Sequence, residues 1–252
     1  MKERGNILFL ILLAIILFVA LSYAVSSGMR GGGKDGSPEK VSSQAATLLQ
    51  QASLIQNTVN RLRLTNGCTD TEISFENPTV SGYTNPNSPG DKRCNLFDPA
   101  GGGLSWFTPD AAWLDPTTAN LAMSNYGKAF YGGRNCVVNI GTGGVSCQAN
   151  ADPSAAELML FVGYLTQSLC QELARRTDTI NGNAIPIEYN ESYPPTQRFT
   201  GTYAGPLSIT NTSGSDTSGT LTGKLAGCYQ SPSDATLLPV GSYHFYYVLL
   251  AR

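Results

Sequence analysis

The chain has 252 residues, a net charge of −2 and only 13% charged side chains. This balance excludes the basic surface that holds phosphates in nucleic-acid-binding proteins, so no nucleic acid is expected among the partners. The length allows one sizeable domain, and 12 Tyr, 9 Phe and 2 Trp supply core material that excludes a disordered acidic tail.

Residues 7–25 form an uninterrupted uncharged apolar run. A helix of this length spans roughly 30 Å of hydrocarbon, and it is longer than the apolar core of about 7–15 residues in a signal peptide. We therefore predict a transmembrane helix over residues 6–26. A small-x-small site at Ser22-Tyr23-Ala24 leaves removal of the segment after Ala24 as an alternative.

The residues in front of this run carry a resemblance. The short charged leader "KERG" (2–5), followed at once by an apolar helix, resembles the start of a type IV prepilin or type II secretion pseudopilin. The family's usual glutamate is absent, because Leu10 stands at its position, as it is in some minor pseudopilins. The alternative is an ordinary signal anchor.

The resemblance implies processing by a prepilin-type peptidase, which would cut after Gly5 and leave Asn6 as the new N-terminus. It also implies that the helix first anchors the subunit in the inner membrane. The helix would later pack in a filament core with other pilin-like subunits, in a homo- or hetero-assembly.

The next segments complete the predicted organisation. Three consecutive glycines (31–33) disfavour a helix, so residues 27–37 are predicted to form a hinge. The predicted domains are a leader (1–5), a transmembrane helix (6–26), this hinge (27–37) and an extracytoplasmic domain (38–252).

An amphipathic helix is predicted over residues 38–66. Ser37 is a good N-cap, Pro38 suits the first helical position, and Asn66-Gly67 is a typical stop. The helix has one apolar seam, spaced by fours and threes: Val41, Ala45, Leu48, Ala52, Ile55, Val59 and Leu62. We expect this seam to pack on the chain's own sheet, with a coiled coil to another subunit as the alternative.

The rest of the chain is predicted to be β-rich. Alternation predicts a strand at 71–77, and a hairpin is predicted at 135–150. Two further strands are predicted within 200–230, and a final strand, buried on both faces, at 243–252. A helix is predicted at 152–178, with Ser154 and Glu157 as a capping box. The predicted fold class is thus α+β and pilin-like: an N-terminal transmembrane helix, then an amphipathic helix packed on an antiparallel, β-rich, disulfide-stapled domain.

Six cysteines follow the apolar run, and none forms a close CxxC pair that would present two zinc ligands. They predict three disulfides, with a metal site or free thiols as alternatives. Sequential pairing (68–94, 136–147 and 170–228) closes the shortest loops and is the simplest expectation, but the sequence leaves about 15 connectivities open. The cysteines are Cys68, Cys94, Cys136, Cys147, Cys170 and Cys228. Disulfides need an oxidising compartment, so the predicted location is an inner-membrane anchor with a periplasmic domain, or an extracellular bacterial filament.

The sequence contains little that predicts catalysis. The single histidine, His244, lies between Tyr243 and Phe245 in the final strand, as a core or edge residue would. We therefore expect no enzyme, no cofactor and no metal.

The best candidate for ligand binding is aromatic. Trp106, Phe107 and Trp113 follow the glycine run 101–103, which we expect to be flexible. Exposed aromatic rings beside glycines would bind a sugar or a partner protein, and the alternative is that the rings belong to the core.

These observations favour a structural subunit of a pilus- or pseudopilus-like envelope filament or secretion apparatus, membrane-anchored before assembly. The alternative is a membrane-tethered extracytoplasmic module that binds a carbohydrate or an envelope protein.

Overall fold

The structure is a computed structural model, and it describes residues 15, 37–141, 153–180, 182–188, 197–205, 207–209, 219–232 and 238–252. The chain divides into two compact units, residues 1–41 and 42–252. In the first unit the described residues are Ile15 and residues 37–41, which begin a helix. The predicted leader lies outside the described residues, as does all of the predicted hinge except Ser37.

The predicted fold class needs a correction at its N-terminus. No helix among the described residues is long and apolar enough to cross a membrane. The predicted transmembrane segment, 6–26, lies outside these residues apart from Ile15. Over its described residues the fold is α+β with a mostly antiparallel sheet and disulfides, and none of the helices described there is the transmembrane helix that the prediction included.

Helix α1 spans Pro38–Thr65, as the amphipathic pattern predicted. All seven residues of the apolar seam are buried. The helix ends at a glycine in the left-handed region: Gly67 has φ +68°, and the Cys68 amide donates to the Leu62 carbonyl at 3.2 Å. A residue with a side chain would be strained at this φ, which explains why the Asn66-Gly67 signal marks the end of the helix.

One five-stranded sheet forms the centre of the second unit. Its strands are β1 (Ala129–Val137), β2 (Glu157–Leu165), β3 (Leu207–Ile209), β4 (Ala226–Gln230) and β5 (Tyr243–Leu250). The order is β3-β1-β2-β5-β4, and every pairing is antiparallel except β1 with β3. In register, Ala129 faces Val162 and Leu158 faces Leu250.

The predicted helix at 152–178 is wrong in its first half. Residues Pro153–Ala155 form a 3-10 turn, Glu157–Leu165 form β2, and only Gln167–Arg176 are helical, as α3. Strand β2 lies between β1 and β5 and is buried on both faces, so its nine residues are apolar almost without interruption. Such a run lacks the alternation of a half-buried strand and looks like a buried helix. Glu157 therefore starts a strand and does not close a capping box.

Two strand predictions also change. Residues 71–77 form only an isolated bridge, between Ser74 and Asn95, rather than a strand. The predicted hairpin at 135–150 begins with the end of β1, and its second half lies outside the described residues. The final strand is confirmed as β5, and β3 and β4 are the strands expected within 200–230.

The two faces of the sheet have separate cores. On one face, the seam of α1 from Ala45 onwards and the apolar side of α3 join Leu160, Phe245 and neighbouring residues in one cluster. On the other face, loop residues such as Leu221 and Leu238 cover a second cluster with Met159 and Tyr246. Two further short helices, a 3-10 turn at Ala111–Trp113 and α2 at Thr118–Leu121, lie between α1 and β1 in the chain.

Disulfides hold this arrangement together. Cys68–Cys94 closes the irregular region after α1, and Cys170–Cys228 joins α3 to β4, so the structure confirms two of the three sequential pairs. Cys136 is also disulfide-bonded. Its predicted partner, Cys147, lies outside the described residues.

Candidate functional site

A surface groove of about 250 Å³ lies between α1 and the loop that follows the glycine run. Gln51, Leu54 and Ile55 line it from the helix, and Leu104, Ser105 and Phe107 line it from the loop. Leu54 is 46% exposed, whereas Ile55 is buried. The groove thus opens beside a leucine that stands in solvent.

The glycine run fixes the position of this loop. A Cβ at Gly101 would collide with the Asn95 carbonyl, and one at Gly102 with the Leu96 carbonyl, so only glycine allows this approach. The Gly102 amide donates to Asn95 O at 2.8 Å, and the amides of Gly101 and Gly103 both donate to Asp98 O at 2.9 Å. The expectation of a flexible run is therefore wrong. Gly101 and Gly102 are required at these positions because the backbone packs too closely for a side chain.

Arg61 fastens the same loop to α1. Its Nη2 donates to the Gly102 carbonyl at 2.9 Å and lies 3.4 Å from the Gly101 carbonyl. Because one wall of the groove is α1 and the other is this loop, the Arg61 contact helps to set the width of the groove.

The predicted aromatic residues do not share one surface. Trp113 is 6% exposed and Phe107 is 9% exposed, and they pack together with ring centroids 6.1 Å apart. Trp106 is half-buried and contacts the rings of Phe97, Tyr131 and Tyr83 at 5.0–5.6 Å. Only Phe107 lines the groove. Ligand binding by these three residues stays a prediction, and the structure assigns Trp106 and Trp113 a packing role.

The chemistry of the groove is uncharged. Its polar groups are the Gln51 amide and the Ser105 hydroxyl, and its other lining residues are apolar. A site of this kind suits an apolar side chain or a sugar ring, which needs apolar contact and a few hydrogen bonds.

The outer face of α1 continues this uncharged surface. Residues 41–60 contain no Asp, Glu, Lys or Arg. Five of the six exposed positions follow the same spacing of four and three as the buried seam on the opposite side: Ser43, Thr47, Gln50, Leu54 and Asn57; the sixth is Ala46. Solvent-exposed helices usually carry charge pairs at this spacing. The absence of charge over 20 residues distinguishes this face.

A second cluster of polar groups is buried on the opposite face of the sheet. His244 Nε2 lies 2.7 Å from the Ser242 hydroxyl, and the Ser242 amide donates to Ser231 Oγ at 2.9 Å. The ring of Tyr164 meets the imidazole edge to face at 5.2 Å. Burial lowers the pKa of His244 to about 3, so the ring is neutral at pH 7. The histidine is a core residue, which agrees with its position in the final strand.

Glu157 is a buried ionisable residue whose burial was not predicted from the sequence. Its side chain is buried at the start of β2, and Oε2 accepts the Val137 amide at 3.0 Å. Burial raises the pKa of this carboxyl to about 8, and the Val137 contact offsets part of the rise. The signal was present, since Glu157 opens an apolar run, but the helix prediction placed it at an exposed cap.

Neither the groove nor the buried cluster around His244 is arranged for metal binding. Within the described residues, no group of three or more His, Cys, Asp and Glu side chains could hold a metal ion. The predicted processing residues Gly5 and Asn6 lie outside the described part of the chain, so cleavage between them stays a prediction.

Comparisons with known proteins add no family. No protein-family model, no curated protein and no solved structure matches the chain significantly. The features that bear on function are the groove, the outer face of α1 and the disulfides.

Proposed function

We propose that this chain is a structural subunit of an extracytoplasmic assembly, either a pilus- or pseudopilus-like filament or a secretion apparatus. The observation that carries the proposal is the outer face of α1, a long surface helix without charge from residue 41 to residue 60. Charged residues are depleted at the centres of protein–protein interfaces, so this face has the composition of a buried contact.

The architecture supports the same proposal. An amphipathic helix of 28 residues packs its apolar seam in the core of a mostly antiparallel sheet. The pilin-like resemblance implies this arrangement. In such a subunit the sheet and disulfides hold the helix rigid, and its outer face is presented to neighbouring subunits.

The disulfides support a location outside the cytosol. Cys68–Cys94 and Cys170–Cys228 are both formed, and disulfides persist in oxidising compartments such as the bacterial periplasm or the cell surface. Covalent bonds of this kind stabilise a subunit within its own fold.

The experiment is to isolate the chain in its native state and examine its assembly. We expect gentle extraction of the cell envelope, followed by size separation and immunogold electron microscopy, to find the chain in filaments or in a large complex. A control sample treated with a reductant should lose the assembly if the disulfide-stapled fold is required. Recovery of the native chain only as single copies would contradict the proposal.

A second candidate function is a binding module for a carbohydrate or an envelope protein, and the groove beside Phe107 favours it. A glycan array probed with the full chain tests this candidate. Ser105→Trp would fill the groove and abolish binding, whereas Thr108→Trp, on the exposed loop beyond the groove, would retain it. Equal glycan binding by both variants would show that the groove is not the binding site.

A further inference from the structure

We propose that Arg198 is the anchor of a binding site for a small organic monocarboxylate, such as a sugar acid, whose acid group pairs with the Arg198 guanidinium. The rings that flank this guanidinium, Tyr83 and Phe130, do not line the groove beside α1. The site is therefore separate from the groove, and the inference does not rest on the proposed role in assembly.

Two aromatic rings hold the guanidinium in place. Its Cζ lies 5.6 Å from the centroid of the Tyr83 ring and 5.8 Å from that of the Phe130 ring, within the range of a cation–π contact. The Arg198 backbone is fixed as well, because it forms an antiparallel bridge with Gly132 of β1. An arginine that is restrained in this way loses little conformational freedom when a ligand binds.

The guanidinium has no counter-charge in the part of the chain that the structure describes. No carboxylate there lies within 4 Å of it, and its buried Nε has no hydrogen-bond partner. Four other arginines each form an ion pair at 2.7–3.1 Å: Arg93, Arg175, Arg176 and Arg252. Because charges taken out of water are normally paired, an unpaired and only partly exposed cation indicates a missing anion.

The Tyr83 hydroxyl does not supply the counter-charge. Burial raises its pKa to about 12, and the Tyr131 amide and the nearby Arg198 offset only part of the rise, so the hydroxyl is neutral at pH 7. It already accepts the Tyr131 amide at 3.1 Å. The segments that carry the two flanking rings, residues 77–90 and 129–133, contain no Asp or Glu. The positive charge of Arg198 is thus left for a ligand.

One end of the guanidinium lies beside the surface. Gly82 is exposed, and a Cβ at this position would stand 3.1 Å from Arg198 Nη1. Because glycine has no side chain, no group at this position covers Nη1. A ligand can therefore approach Nη1 from the Gly82 side, while the buried Nε stays behind the rings.

The charge and the surroundings select a monocarboxylate. A planar carboxylate accepts parallel N–H bonds from a guanidinium, and its single charge is cancelled by Arg198 alone. A phosphate group carries up to about two charges at pH 7, and residues 77–90 and 129–133 contain no second Lys or Arg to balance them. The Tyr83 and Phe130 rings also favour a ligand with a carbon skeleton over an inorganic anion.

The test is a titration of the purified full chain at constant ionic strength, followed by NMR of the arginine Nε–H groups. We expect glucuronate at about 0.1–10 mM to shift the Arg198 signal, whereas glucose, which lacks the acid group, should not. Acetate distinguishes the sources of the carboxylate. Tighter binding of glucuronate than of acetate would identify a sugar acid, and equal affinities would identify a free carboxylate; either result supports the site.

Substitutions test the role of the guanidinium. Arg198→Gln removes the charge and should weaken glucuronate binding by about tenfold or more. Arg198→Lys keeps the charge but lacks the planar fork, so its affinity should lie between those of the parent and Arg198→Gln. The matched control is Arg63→Gln, on the exposed side of α1, which should change the affinity less than twofold. Circular dichroism verifies that each variant is folded, and the titration of the parent needs no variant.

Several results would overturn the inference. These are an unchanged Arg198 signal with both carboxylates, equal shifts with glucuronate and glucose, or equal effects of Arg198→Gln and Arg63→Gln. Tighter binding of inorganic phosphate than of glucuronate, or binding of an acidic peptide alone, would overturn the assigned ligand class. None of these results bears on the assembly role, which is tested by the state of the native chain.

Discussion

The two faces of the sheet differ in how they exclude water. On the α1 face the core is made of aliphatic and aromatic side chains, and the outer side of the helix is neutral and exposed. On the opposite face, loops cover a core that contains a carboxyl, an imidazole and several tyrosines. The first face is built to pack and to make contacts. The second is stable only while its ionisable groups stay neutral, so the two faces should respond differently to mutation and to pH.

The largest effect is expected from the seam of α1. Leu48→Ala removes a fully buried side chain and leaves a cavity, so we expect unfolding to become easier by about 2–5 kcal/mol. Leu54→Ala, on the outer side of the same helix, should change the free energy of unfolding by about 0.5 kcal/mol or less. Denaturant titration of both variants measures the difference. Similar losses of unfolding free energy in the two variants would mean that burial of the seam does not stabilise the helix.

The next effect concerns Glu157 and alkaline pH. Its folded pKa of about 8 lies above the unfolded value of 4.5, so its contribution to stability is complete below pH 4.5 and is lost as the pH rises through 8. The loss is about 3–5 kcal/mol by pH 9. Glu157→Gln keeps an acceptor for the Val137 amide and cannot ionise. We expect this variant to be more stable than the parent at pH 9, and thermal unfolding at pH 5 and pH 9 should show it. Parallel pH profiles would contradict the burial of a neutral carboxyl.

The contribution of His244 to stability changes with pH in the opposite direction to that of Glu157. Its folded pKa of about 3 lies below the unfolded value of 6.5, so its contribution is complete above pH 6.5 and is lost as the pH falls through 3. Between pH 4.5 and pH 6.5 it opposes Glu157, and the parent should show a nearly flat profile there. His244→Gln should remove the acid decline attributable to this residue. Acid unfolding followed by circular dichroism would detect it, and an unchanged acid limb would show that the imidazole is not buried.

The smallest effect is expected at Arg61. Its guanidinium is exposed and donates to the Gly102 carbonyl, so Arg61→Ala should cost about 1 kcal/mol or less. The loop 101–107 should nevertheless exchange its amide hydrogens faster, because one attachment to α1 is lost. Arg63→Ala, two residues along the same exposed helix, is the matched control. Equal amide hydrogen exchange of this loop in both variants would show that Arg61 does not hold the loop against α1.

The sequence predicted the α1 face far better than the opposite face. The seam from Val41 to Leu62 repeats with the period of a helix, and the stop at Asn66-Gly67 depends only on local geometry. These signals do not depend on the rest of the fold, so the predicted bounds of α1 differ from the observed ones by one residue, at the C-terminal end.

Strand β2 could not be predicted in the same way. Whether the apolar run 157–165 is a strand or a helix is decided by the β1 and β5 neighbours, which are far apart in the sequence. The burial of Glu157 was missed for the same reason, because the predicted helix placed this residue at an exposed cap. The groove was missed for a related reason: it forms only because Gly101 and Gly102 bring the loop against Asn95 and Leu96, and those contacts are tertiary. Its aromatic neighbourhood was noticed, but only Phe107 reaches the groove.

The central claim is that the outer face of α1 is a contact surface in the native assembly. A photo-activated cross-linking amino acid at position 50, introduced into the chain in its native cells, tests this most directly. We expect covalent products with another copy or another subunit, at far higher yield than from the same group at position 240. No product at position 50, or equal yields at the two positions, would contradict it.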